Sequence, residues 1–372
     1  MRAALHGVAA GLAGQFVWLD VNYDDPRNAA FLADHLAATP VLMLIDPDTS
    51  AVTRLWAGTA TAEQLTAFLG DATARPTQAA EQALERGDAL LGRGQAAAAV
   101  DAYERALAAG GAMWRYHDHA VEQLVTALQV GDPRACVQRA ATEAPHMPRS
   151  HAFVNVAVTG ASCLAAEPSL IDGDGARQLV ELATRALDVP SASEDDHYQL
   201  YEALYAIRLT AGDRDGGRAL AGRYLAFVEH TPPPASPDER MARDLARLRA
   251  ALKLGVPERV IPTLEASERA LPADPDASGR LAAAYAAAQR HGDAIAACTR
   301  GLARGPGPLG TTRLLTARAG AEARAGDPAA ARRDLEAARD AAARIGVAST
   351  RDLMLGQVRR QLDALGSARP GP

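Results

Sequence analysis

The three cysteines, Cys136, Cys163 and Cys298, are the residues of this sequence best suited to nucleophilic or redox chemistry. Thiol redox chemistry needs a thiolate stabilised at a helix N-terminus and a second thiol that resolves the mixed disulfide. The three cysteines lie far apart in the sequence and form no CxxC pair. Such scattered thiols fill helix interfaces more often than they form a disulfide framework or a metal site. We therefore predict no catalytic residue among them.

A predicted helix at 194–211 carries three tyrosines that share one face because they are three and four residues apart. They are Tyr198, Tyr201 and Tyr205. One interpretation is a concave peptide-binding surface, since tyrosine offers a rigid contact area and a hydroxyl group. The other is packing between helices, which is favoured because the chain has few large residues. We keep the three tyrosines as candidate partner-binding residues.

Three other motifs resemble ligand sites only formally. Residues 305–310 match GxGxxG, but a predicted helix precedes them and two prolines remove N–H donors that a phosphate needs. Residues 172–175 resemble the start of a calcium loop without the later Gly and Glu of that loop. His117 and His119 are two residues apart on a predicted helix, so their side chains lie on different faces. We predict no cofactor and no metal site.

The composition favours a helical protein. Good helix formers such as Ala, Leu, Arg and Glu are abundant, and aromatic residues make up only 4% of the 372 residues. The net charge is −6 and arginine supplies nearly all of the positive charge, without a basic run, so nucleic acid is not an expected partner. No apolar stretch approaches the length of about 18 residues that marks a membrane span.

Residues 80–111 contain a pattern of small and aromatic residues at fixed offsets. The pattern consists of Gly87, Leu90, Gly94, Ala99, Tyr103 and Ala106. It resembles a tetratricopeptide repeat, in which small residues let two helices approach and an aromatic residue fills the gap to the next pair. The pattern recurs in 277–306 with Leu281, Tyr285, Ala294 and Pro306, and in 312–343 with Gly326, Ala331, Leu335 and Ala338.

The resemblance implies an all-α solenoid that holds a partner protein or peptide on its concave face. Degenerate helix pairs are predicted between the clear matches, each with a turn rich in Gly, Asp or Pro. They lie at about 115–144, 150–189, 194–230 and 237–271. We predict about seven helix pairs over 78–346 and a capping helix at 350–366 that begins with the N-cap Thr350.

The first 72 residues have a different pattern, which predicts both strands and helices. Strands are predicted at 16–21, 41–45 and 52–56, and helices at about 24–36 and 61–70. The motifs LDVN at 19–22, Thr39-Pro40 before a strand, LIDPDTSAV at 44–52 and Gly58 before the last helix resemble the later part of a thioredoxin fold. The resemblance implies a cis bond between Thr39 and Pro40, with an ordinary trans loop proline as the alternative.

This segment departs from the thioredoxin pattern at its start. The family's first strand and its CxxC motif belong before residue 16, and no cysteine stands there. Two interpretations stay open: a genuine degenerate domain, or a reading frame that begins upstream and encodes the CxxC. Without the first strand, the edges of 16–21 and 41–45 lack partners. Either the two strands would then pair with each other, or another segment or a second copy in a homodimer would cover those edges.

We therefore expect an α/β thioredoxin-like partial domain at 1–72 followed by an all-α tetratricopeptide-type solenoid. The expected role is a protein–protein interaction scaffold, not an enzyme, and the residues do not identify the partner. The alternative is a thiol–disulfide oxidoreductase or disulfide chaperone whose CxxC lies upstream. Residues 1–14 resemble a signal peptide only faintly, which favours the cytoplasm.

Overall fold

The computed structural model describes residues 8, 11–12, 14–19, 21, 28, 41–50, 52–57, 62–70, 78–234 and 236–367. The chain divides into two compact units, unit 1 (Met1–Gly217) and unit 2 (Arg218–Pro372). Helices dominate the described residues of both units, which confirms the predicted helical body. The domain boundaries expected from the sequence remain predictions.

Unit 1 contains a β-hairpin before the helix Ala62–Gly70. Strand β1 (Val41–Ile45) pairs antiparallel with β2 (Val52–Ala57), so that Leu42 lies opposite Trp56. The turn between them is stabilised by Asp46, whose carboxylate accepts hydrogen bonds from the N–H groups of residues 48 and 49 at 2.9 Å each. This Asx-type turn is the local reason that the chain reverses direction here.

The strand predicted at 16–21 is not found. Phe16 forms an isolated bridge, whereas residues 17–19 and 21 lie outside any strand. Val17 is 89% exposed and Leu19 is 78% exposed, so neither is buried as a central strand requires. Among the described residues the sheet has only β1 and β2, and residues 17–19 and 21 are not part of it. A thioredoxin-like domain is therefore not shown, and the predicted helix at 24–36 and the Thr39-Pro40 bond lie outside the described residues.

The helices of unit 1 pack on their sequence neighbours. They are α1 (Ala62–Gly70), α2 (Ala79–Gly92), α3 (Ala96–Gly110), α4 (His117–Gly131), α5 (Pro133–Glu143), α6 (His151–Ala166), α7 (Asp174–Ala186), α8 (Glu194–Thr210) and the start of α9 (Arg214–His230). Helix α3 packs between α2 and α4, and α6 contacts α4, α5, α7 and α8.

Close approach of these helices depends on small residues at the crossings. A Cβ atom on Gly87 would lie 2.5 Å from the Tyr103 ring, and one on Gly160 would lie 2.6 Å from the Cβ of Ala140. Both distances are shorter than van der Waals contact, so a larger residue would push the helices apart. The small residues therefore explain why α2 meets α3 and α6 meets α5 so closely.

The hairpin is attached to the helices of unit 1 through Trp56. Its indole stacks on the imidazole of His119 with 3.9 Å between ring centroids, and it meets Phe68 of α1 edge-on. His119 in turn lies 3.7 Å from the carboxylate of Asp88, which accepts a hydrogen bond of 2.8 Å from the Tyr103 hydroxyl. This buried cluster ties β2 to α2, α3 and α4.

Unit 2 continues with helices of the same kind. They are the rest of α9, α10 (Pro237–Leu254), α11 (Ile261–Ala270), α12 (Pro275–Ala287), α13 (His291–Ala303), α14 (Pro308–Arg324), α15 (Pro328–Ala342) and α16 (Ala348–Ser367). Helix α12 contacts both α10 and α14, and α14 also contacts α16. These four helices form one layer, and α11, α13 and α15 pack against it.

The bounds of α10 follow from its capping residues. The Ser236 hydroxyl accepts the N–H of Glu239 at 3.1 Å and begins α10, and Gly255, with φ of +79°, ends it. Where α12, α13 and α14 cross, a Cβ on Gly301 would lie only 3.0 Å from Ser278 and from Leu314. Unit 2 therefore uses glycine at a helix crossing as unit 1 does.

Candidate functional site

The three tyrosines predicted to contact a partner lie together on α8 of unit 1. Tyr198 and Tyr201 are buried, and the Tyr198 hydroxyl donates a hydrogen bond of 2.7 Å to Glu194. Tyr205 is half-buried, with its ring 3.7 Å from where a Cβ on Gly217 would lie. Two of the three thus pack inside the unit, and a partner-binding role for the tyrosines stays a prediction.

Two of the three cysteines form a disulfide, which corrects the expectation of scattered thiols without a disulfide. Cys136 of α5 and Cys163 of α6 are joined by a bond of 2.06 Å, and both residues are buried. The sequence separation of 27 gave no signal, because the pairing depends on the packing of α5 against α6. The bond is enclosed by side chains, so it crosslinks two helices and is not placed to react with a substrate.

The remaining cysteine, Cys298 of α13, is buried as a free thiol. Burial raises the pKa of this thiol to about 12, so its nucleophilic thiolate form is strongly disfavoured. The described residues contain no CxxC pair and no group of three or more His, Cys, Asp or Glu side chains that could hold a metal ion. Nothing in them supports the thiol–disulfide oxidoreductase alternative.

The described helices are also not of the kind that crosses a lipid bilayer, since none of them is both long and apolar enough. A homodimer through strand edges gains no support from the described part of the hairpin. That idea stays a prediction.

The two units carry opposite net charges, a feature that the whole-chain value of −6 conceals. Unit 1 has 15 Lys and Arg against 28 Asp and Glu, which gives −13. Unit 2 has 24 Lys and Arg against 17 Asp and Glu, which gives +7. Unit 2 therefore carries a net positive charge in a chain that is acidic as a whole, and counting charge by unit would have detected it.

Some arginines of unit 2 are paired between helices. Arg318 donates to both carboxylate oxygens of Asp334, at 2.6 and 2.8 Å. Arg300 does the same to Glu268, at 3.1 and 2.8 Å. These forked pairs join α13 to α11 and α14 to α15. The arginines that face solvent elsewhere in the unit are the ones available to a partner.

Helix α10 exposes a stripe of two leucines and one arginine. Leu245 is 38% exposed and Leu252 is 41% exposed, with the exposed Arg249 between them. The spacing of four and three residues places the three side chains on one face. Arg249 makes no ion pair with the described part of the chain. The opposite side of α10 is buried through Ala246, Leu248, Ala250 and Ala251.

Helices α12 and α14 of the same layer also carry exposed residues. Helix α12 exposes or half-exposes Ala283 and Ala287, and α14 exposes Arg313, Ala317 and Arg324 at helical spacing. We call this surface the arginine–leucine face, and it comprises Leu245, Arg249, Leu252, Ala283, Ala287, Arg313, Ala317 and Arg324. The signal that sequence reasoning missed is that α10 has leucines on both sides, which a helix with one buried side does not need.

No family model matches the chain, and a search of curated proteins gave no match. Among solved structures, the chain is similar to a tetratricopeptide repeat protein from Parabacteroides merdae, with 11% identity over 76% of this chain and 99% of that one, at a TM-score of 0.47. It is also similar to the TPR2AB domain of yeast Sti1 in its complex with pHSP90, with 15% identity over 77% and 96%, at a TM-score of 0.29. At such low identities and TM-scores, neither likeness says what this chain binds.

Proposed function

We propose that this chain is a protein–protein interaction scaffold that binds a peptide segment of a partner on the arginine–leucine face of unit 2. The observation that carries the proposal is the pair of exposed leucines on α10. Exposed leucines on protein surfaces are usually isolated from one another. These two instead lie on one stripe of α10, on either side of an arginine. Such an arrangement offers apolar contact and a charged hydrogen-bond donor to one ligand.

The energetics fit a peptide ligand. Completing the burial of two half-exposed leucines contributes about 1–2 kcal/mol, and a charged hydrogen bond at Arg249 contributes about as much. These contributions suit a reversible contact, which a longer segment would extend onto α12 and α14. The alanines of α12 leave room for the main chain of such a segment.

Residues 1–72 contain no cysteine, so the proposal gives none of these residues a role in thiol chemistry. In unit 1, the half-buried Tyr205 is the member of the tyrosine group best placed to add a second contact. Both statements refine the scaffold proposal and do not carry it.

The proposal is tested by selecting peptides from a random display library on the immobilised full chain. We expect selected peptides to lose binding to the double variant Leu245→Ser/Leu252→Ser and to keep it with Leu353→Ser. Leu353 is the matched control because it is also an exposed leucine of unit 2 but lies on α16, outside the arginine–leucine face. A selection that yields no peptide sensitive to the double variant would contradict the proposal.

A further inference from the structure

The arginine–leucine face has an excess of positive charge that is not neutralised within the chain. Arg249, Arg313 and Arg324 are exposed and make no ion pair with the described residues. Two carboxylates lie at helical spacing with these stripes, Asp238 and Asp276, but both sit in the first turns of their helices, where the helix dipole favours them. The face therefore attracts negative charge toward the bodies and C-terminal halves of its helices.

Carboxylates suit this face better than phosphates of nucleic acid do. Arginine presents a planar fork that matches a carboxylate, and unit 2 already shows this geometry in Arg318 with Asp334. Single-stranded nucleic acid binds through aromatic rings that stack on its bases. The exposed large apolar residues described in unit 2 are all aliphatic: Leu245, Leu252, Val347 and Leu353.

The spacing of the α10 stripe fixes a pattern in the ligand. Leu245 and Leu252 are seven residues apart, which is about 10 Å along a helix. A peptide in the polyproline II conformation rises about 3.1 Å per residue with three residues per turn, so it covers that distance in about three residues and returns to the same face. An apolar side chain over each leucine therefore falls at positions one and four of the ligand, and a residue between them faces Arg249.

We infer that the partner of unit 2 is an acidic peptide segment with leucine-like side chains three positions apart and Glu or Asp between them. The inference rests on the proposed function and names the chemistry of its ligand. The side chains of Leu-Glu-Glu-Leu satisfy the pattern in either chain direction. Leucine-like groups pack on Leu245 and Leu252, and a carboxylate pairs with Arg249. Further acidic residues then reach Arg313 and Arg324.

The test uses a fluorescein-labelled synthetic peptide of repeated Leu-Glu-Glu-Leu and a matched peptide with Gln in place of every Glu. Binding to the full chain is followed by fluorescence anisotropy. We expect the Glu peptide to bind about tenfold more tightly than the Gln peptide, a difference of about 1.4 kcal/mol. The triple variant Arg249→Gln/Arg313→Gln/Arg324→Gln should remove that preference. Arg105→Gln, an exposed arginine of unit 1, should leave it unchanged.

Three results would overturn the inference: equal binding of the two peptides, a preference that survives the triple variant, or tighter binding of a single-stranded DNA of equal charge. Circular dichroism of each variant verifies that the helices are intact. If the display selection returns peptides that depend on Leu245 and Leu252 without enrichment in Asp or Glu, the inference fails and the scaffold proposal stands. If the selection returns no peptide whose binding depends on Leu245 and Leu252, the scaffold proposal and the inference both fail.

Discussion

Unit 1 and unit 2 are built from the same kind of packed helices, but different interactions hold them together. In unit 1 a disulfide joins α5 to α6, and a buried tyrosine hydroxyl bonds to Asp88. In unit 2 forked arginine–carboxylate pairs join α13 to α11 and α14 to α15. The shared feature is glycine at the crossings, as at Gly160 and Gly301.

In both units the helices pack closely where a glycine lies at the crossing. The side-chain bonds between helices differ: a disulfide and a tyrosine–aspartate hydrogen bond in unit 1, and arginine–carboxylate pairs in unit 2. Arginine, which stabilises the interior contacts of unit 2, is also the residue that gives this unit its net charge of +7. The interaction surface and the internal stabilisation of unit 2 therefore draw on one residue type. The three tryptophans, Trp18, Trp56 and Trp114, all lie in unit 1, so tryptophan fluorescence follows unit 1 while circular dichroism follows both units.

The largest effect is expected from Tyr103→Ala in unit 1. The ring is fully buried against Gly87, so its removal leaves a cavity and should lower the free energy of unfolding by about 4 kcal/mol. Urea unfolding followed by tryptophan fluorescence measures the change. The control is Tyr205→Ala, where the half-buried ring should cost clearly less. Equal effects of the two variants would mean that the Gly87 crossing does not anchor unit 1.

The second effect concerns the disulfide. The variant Cys136→Ala/Cys163→Ala should lower the stability of unit 1 by about 3 kcal/mol, the value typical of a closed loop of this size. The unfolding transition followed by tryptophan fluorescence, which reports unit 1, should move to a lower denaturant concentration. The part of the circular dichroism transition that comes from unit 2 should not move. Alkylation of the unfolded, unreduced protein should label one thiol, Cys298, and full reduction should expose three. Three labelled thiols before reduction would remove the disulfide from the comparison.

This disulfide also bears on the compartment. Stable disulfides are typical of proteins that fold in oxidising environments and are rare in the cytosol. The expectation of a cytoplasmic protein stays a prediction, and the Cys136–Cys163 bond argues against it. The same alkylation, done on protein taken from its native source, measures which environment the chain meets.

The third effect tests the ionic contacts of unit 2. In Arg318→Met the mostly buried carboxylate of Asp334 loses both bonds from its arginine. Removal of one partner of a buried pair costs about 3–5 kcal/mol, and the partial exposure of this one lowers our expectation to about 2 kcal/mol. The control is Arg339→Met, since Arg339 and Asp340 form an exposed pair of little value. The unfolding transition followed by circular dichroism should shift for Arg318→Met and not for Arg339→Met. The transition followed by tryptophan fluorescence should stay unchanged in both variants.

The fold was predictable from the sequence where local pattern decides it. The pattern with Gly87 and Tyr103 predicted two closely packed helices, and the Tyr103 ring does pack against Gly87. The apolar run at 16–21 reads like a strand, but a strand also needs a partner that the run itself does not encode. The Cys136–Cys163 bond could not be predicted for a similar reason, since it depends on which helices become neighbours. The arginine–leucine face was hidden because its residues look like ordinary members of an amphipathic helix.

The smallest expected effect is on the pH dependence of stability, and it has opposite signs for two glutamates, Glu268 and Glu85. Burial by itself raises the pKa of Glu268 in unit 2, but hydrogen bonds from Arg300 and Ser278 and the charges of Arg300 and Arg304 outweigh it and lower the pKa below its ordinary 4.5. Burial raises the pKa of Glu85 in unit 1 in spite of the nearby Arg54. The unfolded chain therefore binds more protons than the folded one at Glu268, and fewer at Glu85.

These directions give opposite pH dependences. The stability that Glu268 contributes is complete above about pH 4.5 and is lost as the pH falls through its lowered folded pKa. The contribution of Glu85 instead decreases as the pH rises from 4.5 through its raised folded pKa. On acidification, the advantage of the natural chain over Glu268→Gln should shrink, and its advantage over Glu85→Gln should grow. Urea unfolding at neutral and acidic pH measures both, by dichroism for unit 2 and by fluorescence for unit 1. If the stability differences of Glu268→Gln and Glu85→Gln changed in the same direction with pH, the opposite pKa shifts of the two carboxylates would be contradicted.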